Sequence, residues 1–378
     1  MRIAVLTTDV REDYREYHLQ HPTFGTAPLA LLEGFGLLPD VEVHVVTCTQ
    51  QPMSSPAKLA ENIWFHSLHV PKWGWMRSFF LGCTVACRRK LRAIRPDIVH
   101  GQGTERFCAI SAVSSGFKNV ITIHGNMRIL AKLSQAPRFS YPWLAARLEG
   151  FVVPRTDGVV CITDYTRNAV RDTARKTWLL PNAIERRFFT DGIRNPGSKV
   201  ILCVGVICPR KNQVEFIRAL DPIADRHGIQ VLFLGKASED LPYVSEFNKL
   251  LSERPWAKHG GLVSREDLKA LLDSAGLLVL PSLEDNCPMV VLEAMASGVP
   301  VVAPNVGGVP DLVRDGQNGI LCDPQDRRSI TAAVEKLLLH PDLATRLAKT
   351  ARAESEARFH PKVVASRHLE IYREVLGL

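Results

Sequence analysis

At 378 residues the chain is long enough for two domains of ordinary size. Its composition, 46% hydrophobic and 23% charged, is that of a globular protein. It has no run of about 18 or more apolar residues, which excludes a conventional membrane-spanning helix. The formal charge of +8 is compatible with nucleic acid, an anionic membrane or phosphorylated ligands, and does not choose among them.

The chain begins with an apolar strand at Arg2–Thr7. Neither a long apolar core nor a small-residue cleavage site follows it, so no signal peptide is expected. The nine cysteines are scattered and odd in number. Cys83 and Cys87 lie close in sequence, but no further cysteine or histidine cluster completes a metal-binding set. We therefore expect reduced thiols in a cytoplasmic protein.

The first half alternates strands with helices. A polar loop, Thr8–Asp13, follows the first strand, and a helix is predicted from Leu29 to Leu38. Further strands are predicted in apolar, β-branched stretches, namely Val41–Thr47, the end of Ile94–His100, Val120–Gly125 and Gly158–Thr163. This alternation favours right-handed βαβ units and a parallel sheet.

The pattern restarts after residues 181–198, a stretch rich in turn-forming and charged residues that is the best candidate for a linker. The elements predicted after it are strands at Lys199–Gly205 and Gln230–Leu234, and helices near Gln213–His227, Tyr243–Leu251 and Ser329–Leu339. We therefore predict an α/β fold of two doubly wound domains, residues 1–185 and 196–360. The C-terminal helix, 361–378, is expected to pack back on the first domain, and a ligand is expected in the cleft between the domains.

The stretch Leu278–Ala303 has the pattern of a strand, an acidic loop, a helix, a turn and a strand. Asn286 is suited to cap the helix and Pro288 to stand in its first turn. Gly298 stands where a helix C-terminus needs a residue with positive φ. The N-terminus of such a helix offers free N–H donors and a positive dipole end, so it can hold a phosphate.

Two acids flank this phosphate position, Asp285 in the loop and Glu293 in the helix. Carboxylates beside a phosphate site are suited to binding sugar or ribose hydroxyls. The stretch therefore predicts a nucleotide-sugar site. The alternative is that Glu284 and Asp285 are a solvated charge pair that only favours the helix dipole.

Three segments of the second half stand in the order typical of one enzyme family: a glycine-basic loop at Gly205–Asn212, an acid-x7-acid segment at Pro281–Ala303 and a glycine turn at Val306–Gly319. Three stretches of the first half match more loosely: Pro96–His100, Thr122–Gly125 and Leu179–Ile184. In this combination the chain resembles the retaining glycosyltransferases of family 4. The resemblance implies the GT-B fold, in which two Rossmann-like domains face each other across a cleft.

The resemblance also implies roles for individual residues. Glu293 is expected to bind the ribose hydroxyls, Asp285 to lie near the transferred sugar, and Lys211 to neutralise the diphosphate as the glycosidic bond breaks. His124, at the end of a strand, is expected near the donor sugar. The predicted catalytic residues are therefore His124, Lys211 and Asp285. The predicted donor-binding residues are Gly25, Gly205, Arg210, Lys211, Asp285, Asn286, Cys287, Pro288, Met289, Val290 and Glu293.

Three positions depart from the family pattern. Asp285 stands where the family usually has glutamate. Val206 stands where an arginine is usual, and Arg210 is the candidate substitute for it. Gly25 is a single glycine where the family often has a pair.

Plainer interpretations stay open beside these roles. Lys211 can be a surface lysine without a role, and His124 a structural histidine. Gly307–Gly308 are expected to allow a strained turn that closes over the nucleotide, with an ordinary surface turn as the alternative. His100 is interpreted as a packing or loop residue.

The predicted function is transfer of a sugar from a UDP- or GDP-type sugar to a glycan, lipid-linked or small-molecule acceptor, with retention of configuration. The resemblance implies front-face attack by the acceptor. No metal or cofactor is expected, because Lys211 and a helix N-terminus can hold the diphosphate. Two alternatives are a nucleotide-sugar epimerase of related fold and a non-catalytic, degenerate transferase subunit, for which Val206 is the argument.

Residues 73–95 indicate a further partner. Aromatic residues in Trp73–Leu81 precede a basic run at Arg88–Arg92. This order suits peripheral contact with the inner face of an anionic membrane. It also suits an ordinary amphipathic helix with its basic face in water. No nucleic-acid partner is expected.

Overall fold

The computed structural model describes residues 1–189, 197–238 and 241–378. The chain folds into two compact units. Unit 1 comprises Met1–Glu185 and His360–Leu378, and unit 2 comprises Arg186–Phe359. The predicted linker, 181–198, includes residues 190–196, which lie outside the described residues.

Unit 1 is built on an eight-stranded sheet of β1 (Arg2–Leu6), β2 (Glu42–Thr49), β3 (Lys58–Ala60), β4 (Ile63–His69), β5 (Ile98–Gln102), β6 (Asn119–Ile123), β7 (Gly158–Cys161) and β8 (Thr177–Leu179). The spatial order is β3-β4-β2-β1-β5-β6-β7-β8. Every pairing is parallel except that of β3 with β4. The central strands are buried on both faces, as expected for apolar, β-branched runs in a parallel sheet.

The helices of unit 1 that precede residue 186 are α1 (Val10–Tyr14), α2 (Thr26–Gly36), α3 (Leu81–Ile94), α4 (Phe107–Val113), α5 (Met127–Leu133), α6 (Tyr141–Val152) and α7 (Asp164–Val170). The prediction of a plain loop at 8–13 was wrong, because α1 begins there. Asp9 caps α1 by accepting from the Arg11 amide, and it forms a fully buried ion pair with the Arg11 guanidinium at 2.7 Å. Local capping and long-range burial together make this short helix.

Unit 2 is built on a six-stranded parallel sheet of β9 (Val200–Val204), β10 (Gln230–Leu234), β11 (Ala257–His259), β12 (Leu277–Val279), β13 (Val301–Pro304) and β14 (Ile320–Cys322). Its order is β11-β10-β9-β12-β13-β14. The strand order reverses between β9 and β12, which is the switch point at which such sheets bind ligands.

The helices of unit 2 are α8 (Gln213–Leu220), α9 (Ala224–His227), α10 (Pro242–Ser252), α11 (Arg265–Ser274), α12 (Met289–Ala296), α13 (Arg327–Leu339) and α14 (Pro341–Phe359). The single helix predicted over 213–227 is two helices. Pro222 lies between them, and proline lacks the N–H that would continue the first.

The last helix, α15 (Pro361–Leu376), belongs to unit 1 and packs on α2. The two backbones approach closely at Gly34, where an added Cβ would lie 2.2 Å from the Pro361 carbonyl oxygen. Tyr372 is fully buried, and its hydroxyl lies 2.6 Å from His100 Nδ1. The helix therefore completes the core of unit 1.

None of the described helices is long and apolar enough to cross a membrane.

Candidate functional site

The candidate donor residues of unit 2 lie beyond the carboxyl ends of three neighbouring strands, β9, β12 and β13. Gly205 directly follows β9, Asp285 lies in the loop after β12, and Gly307 follows β13. Parallel strands present their carboxyl ends at one edge of the sheet. A cavity of about 520 Å³ in unit 2 borders the opposite edge, where Gly276 precedes β12 and Pro300 precedes β13. None of the predicted site residues lines that cavity.

Lys211 and Asp285, predicted on two separate loops, form an ion pair. Lys211 Nζ lies 2.6 Å from Asp285 Oδ2, and the two side chains are 15% and 12% exposed. Lys211 ends a short 3₁₀ turn, Pro209–Lys211, and Asn212 follows it with φ of +61°. The Asn212 side chain donates to the Pro324 carbonyl at 2.8 Å and so anchors the turn. Lys211 is therefore not an exposed surface lysine, because its ammonium is mostly buried against a carboxylate, and its role in the reaction stays a prediction.

The glycine turn after β13 contacts the backbone of Asp285. The Gly308 amide donates to the Asp285 carbonyl at 3.0 Å. Gly307 has φ of +56°, and a Cβ there would lie 2.0 Å from the same oxygen. A side chain at this position is excluded by both its backbone conformation and the close approach. The turn thus determines where Asp285 stands.

Arg210, the candidate substitute for the usual arginine, is bound to the acidic loop. Its guanidinium donates to the Glu284 carbonyl at 2.9 Å and lies 3.5 Å from the Glu284 carboxylate. Burial raises the pKa of that carboxyl, and Arg210 opposes the rise. Val206 is 54% exposed and supplies no charge. Arg210 therefore fastens the loop that carries Asp285.

Helix α12 begins at Met289, with Pro288 at the N-cap position. The prediction that Asn286 caps this helix was wrong, because the chain turns into the helix two residues later. The first amide paired to the cap is that of Val291, which donates to the Pro288 carbonyl at 3.0 Å. In the described part of the chain the Met289 and Val290 amides have no acceptor. Gly298 has φ of +68°, as predicted for the other end.

Glu293 is almost completely buried in α12, with 1% exposure. Its Oε1 lies 2.6 Å from Arg265 Nη2, and the Arg265 guanidinium lies 4.8 Å from the ring centroid of Phe188. A buried carboxylate without a partner would be strongly destabilising, so the contact with Arg265 stabilises Glu293 at this position. Arg265 was not predicted from the sequence, because nothing in its local pattern connects the start of α11 to α12.

In unit 1, His124 follows β6, and its Nε2 lies 2.8 Å from the Gln102 side-chain oxygen. Burial lowers the pKa of His124 to about 4, so the imidazole is neutral at pH 7. Gln102, which orients it, was missed by sequence analysis. His100 is fully buried between Tyr372 and Thr122 Oγ1, which confirms its interpretation as a packing residue.

The other predicted positions are more ordinary. Gly25 is the exposed N-cap residue of α2, and a Cβ there would make only an ordinary contact of 3.7 Å. Cys287 is half-buried in the loop before α12. Residues 1–189, 197–238 and 241–378 contain no group of three or more histidine, cysteine, aspartate or glutamate side chains that could hold a metal ion.

Each of the two units matches the model of a known protein family. The model of the glycosyl transferases of group 1 matches residues 185–354, and that of Glycosyltransferase Family 4 matches residues 38–188. N-acetyl-alpha-D-glucosaminyl L-malate synthase from Bacillus anthracis is 30% identical over 339 residues, which are 84% of this chain and 86% of that enzyme. The chain belongs to the group 1 glycosyltransferases. The prediction of a glycosyltransferase is thereby confirmed.

Solved structures of similar fold include sucrose-phosphate synthase from Thermosynechococcus elongatus. Its TM-score is 0.81 at 19% identity, covering 100% of this chain and 99% of that one. Anabaena HepE, solved in complex with UDP-glucose, has a TM-score of 0.72 at 16% identity, covering 99% of this chain and 100% of that one. These likenesses confirm the predicted GT-B fold of the glycosyltransferase.

Proposed function

We propose that this glycosyltransferase uses a UDP- or GDP-sugar and transfers the sugar with retention of configuration. The observation that carries the proposal is the mostly buried Lys211–Asp285 pair. Asp285 of this pair lies in the loop that leads into the unpaired amides at the start of α12. A fixed cation and free N–H donors suit a diphosphate. The UDP-glucose complex of the structurally similar HepE supports a nucleoside-diphosphate donor.

Each group of the donor has a proposed partner in unit 2. Lys211 and the amides of Met289 and Val290 hold the diphosphate. Glu293, held by Arg265, accepts hydrogen bonds from the ribose hydroxyls. Asp285 orients Lys211 and lies toward the transferred sugar. The expected contact of His124 with that sugar stays a prediction.

The proposed reaction needs no protein nucleophile. The acceptor oxygen attacks the anomeric carbon from the face that the diphosphate leaves. The bond from the anomeric carbon to the diphosphate oxygen breaks as the new glycosidic bond forms, and the acceptor proton passes to the departing diphosphate. Charge on the leaving group grows during this step, so Lys211 stabilises the transition state more than the ground state.

Replacing Glu293 tests the ribose contact. We expect Glu293→Gln to weaken UDP binding about tenfold and Glu293→Ala to abolish measurable binding, because a charged acceptor is lost. Isothermal titration with UDP and GDP measures this, after a thermal-shift screen of UDP-, GDP- and ADP-sugars has chosen the base. The matched control is Glu335→Ala, which also removes an ion-paired glutamate of unit 2. Unchanged UDP affinity in folded Glu293 variants would contradict the assignment.

Lys211 is expected to act mainly on the chemical step. Lys211→Met should lower kcat about 100-fold, with a smaller change in the KM for the donor, because the leaving charge loses its cation. The exposed Lys336→Met is the control, and steady-state turnover of the donor is the measurement. If both variants turned over at the wild-type rate, Lys211 would have no role in the transfer.

Retention is read directly from the product. A donor with an axial anomeric bond should give a product with an axial glycosidic bond. The coupling constant of the anomeric proton, followed by NMR from the first turnovers, distinguishes the two anomers. A product of inverted configuration would refute front-face attack.

We further propose that unit 1 contacts an anionic membrane through the α3 surface, which we define as Trp73, Phe79, Leu81, Val85, Arg88, Arg89 and Arg92. The four apolar members are 51–71% exposed. Leu81, Val85 and Arg92 recur at helical spacing, so α3 presents apolar and basic residues on one side. Apolar insertion combined with basic charge suits the cytoplasmic face of a membrane.

Vesicle sedimentation tests this contact. The protein should sediment with vesicles containing 20 mol% phosphatidylglycerol and stay in solution with pure phosphatidylcholine. Trp73→Ala/Phe79→Ala should lose most of the binding. The control Leu133→Ala/Phe139→Ala removes two other exposed apolar side chains of unit 1 and should bind normally. Equal loss in both double variants would mean that the α3 surface is not the contact.

A further inference from the structure

Unit 1 contains a cavity of about 450 Å³. Its walls come from segments that follow four strands: Glu12 after β1, Gln50 after β2, Lys72 after β4 and Arg106 after β5. These strands are neighbours in the sheet, in the order β4-β2-β1-β5. The cavity therefore lies beyond the carboxyl edge of the sheet, where α/β folds bind ligands, and its volume suits one small molecule or headgroup.

Both carboxylates of the cavity are already engaged. Glu12 accepts from the Tyr17 hydroxyl at 3.2 Å and from the Gln50 amide at 2.9 Å. Asp13 forms an ion pair with Arg106. Burial raises the pKa of Glu12, which makes its negative charge still less available to balance other cations.

Three cations of the cavity are not balanced in this way. Arg15, Lys72 and Arg77 line it and are exposed. No carboxylate in the part of the chain that the structure describes forms an ion pair with any of them. With Arg106 they make four basic side chains against two acids, so the cavity has a surplus of positive charge.

The rest of the wall is aromatic and conformationally strained. Trp75 and Phe80 are buried and meet edge to face, with their ring centroids 6.4 Å apart. The Trp75 Nε1–H donates to the Val70 carbonyl at 2.9 Å, so its ring presents only apolar surface to the cavity.

Arg15, Phe79 and Phe80 have φ of +58°, +50° and +60°. A left-handed backbone costs a non-glycine residue roughly 1–2 kcal/mol, and such strain is typical of ligand-binding sites. Arg15 and Phe80 line the cavity directly. The strain therefore falls on the same walls as the unbalanced charge.

We propose that this cavity binds the acceptor of the transfer reaction and that the acceptor carries a phosphate group, held by Arg15, Lys72 and Arg77. The inference rests on the proposed function and names the class of its second substrate. A phosphate carries up to two negative charges and several acceptor oxygens, which match two guanidinium groups and an ammonium. The Glu12 and Asp13 side of the cavity is suited to the hydroxyl groups of the same molecule.

Matched probes separate phosphate recognition from general polarity. At constant ionic strength we expect inorganic phosphate and glycerol 3-phosphate to bind the full chain in isothermal titration, and glycerol to give no signal. Lys72→Ala/Arg77→Ala should weaken the binding of both phosphates at least about tenfold, because two charge-assisted contacts are lost. The control Lys118→Ala/Arg171→Ala removes the same charge from exposed positions outside the cavity and should change binding less than about twofold.

UDP titrated into the same proteins separates this proposal from the donor assignment. UDP binding that persists in Lys72→Ala/Arg77→Ala while phosphate binding is lost supports the acceptor cavity. Absence of UDP binding to the wild type would contradict the proposed function instead. Equal binding of glycerol and glycerol 3-phosphate, no binding of either phosphate, or an equal loss in the control variant would overturn the cavity assignment.

Vesicles identify the source of the phosphate. If it is borne by a lipid, Lys72→Ala/Arg77→Ala should lose binding to vesicles containing phosphatidic acid by a larger factor than binding to vesicles containing phosphatidylserine at equal surface charge. If the phosphate is borne by a free molecule, the double variant should lose binding to the two vesicle types by the same factor. Its binding of glycerol 3-phosphate should still be weakened.

Discussion

The ion pair between Lys211 and Asp285 is the interaction on which the candidate site of unit 2 depends. The two residues come from loops after β9 and β12, which are adjacent in the sheet but far apart in the chain. Because both side chains are mostly buried, removing either would leave an uncompensated charge. The glycine turn at Gly307–Gly308 lies against the Asp285 backbone, and its hydrogen bond to the Asp285 carbonyl holds one end of the pair. The loop, the turn and the cation are therefore positioned before any ligand arrives.

Glu293, the second acid of the segment, is also held by an ion pair, and its cation comes from another helix. Glu293 meets Arg265, which begins α11 and packs over Phe188. Each acid of the acid-x7-acid segment thus has a cation supplied by a different part of unit 2. Preorganised charges need little rearrangement when a substrate binds, which is the condition under which electrostatic stabilisation is most effective. The departure at Val206 is local, since the two ion pairs do not involve it.

Local pattern was sufficient for many of the strands and helices and for most of the segment around Asp285, but not for α1 or for the break at Pro222. Alternating apolar strands and Gly298 with its positive φ are determined by neighbours in sequence, so they were predicted. The sequence did not predict the contacts of Arg265 and Gln102 or the cavity walls of unit 1. The Arg265–Glu293 contact joins two helices and the Gln102–His124 contact joins two strand ends, so neither follows from the pattern of a single segment. The cavity walls depend on the strand order β4-β2-β1-β5, which is not the chain order. The prediction that Asn286 caps α12 was wrong for a local reason. The helix begins after Pro288, two residues later than the sequence pattern indicated.

The net charge of +8 is compatible with several kinds of partner. Which cations are paired with carboxylates helps to choose among these partners. Many arginines of this chain are tied to carboxylates, as Arg106 is to Asp13. Charges paired in this way add little to the field beyond the protein surface. Arg15, Lys72 and Arg77 are different, because they are exposed, lack carboxylate partners among the described residues and converge on one cavity. The anionic ligand that we propose for this cavity would account for the placement of these three cations beside strained walls.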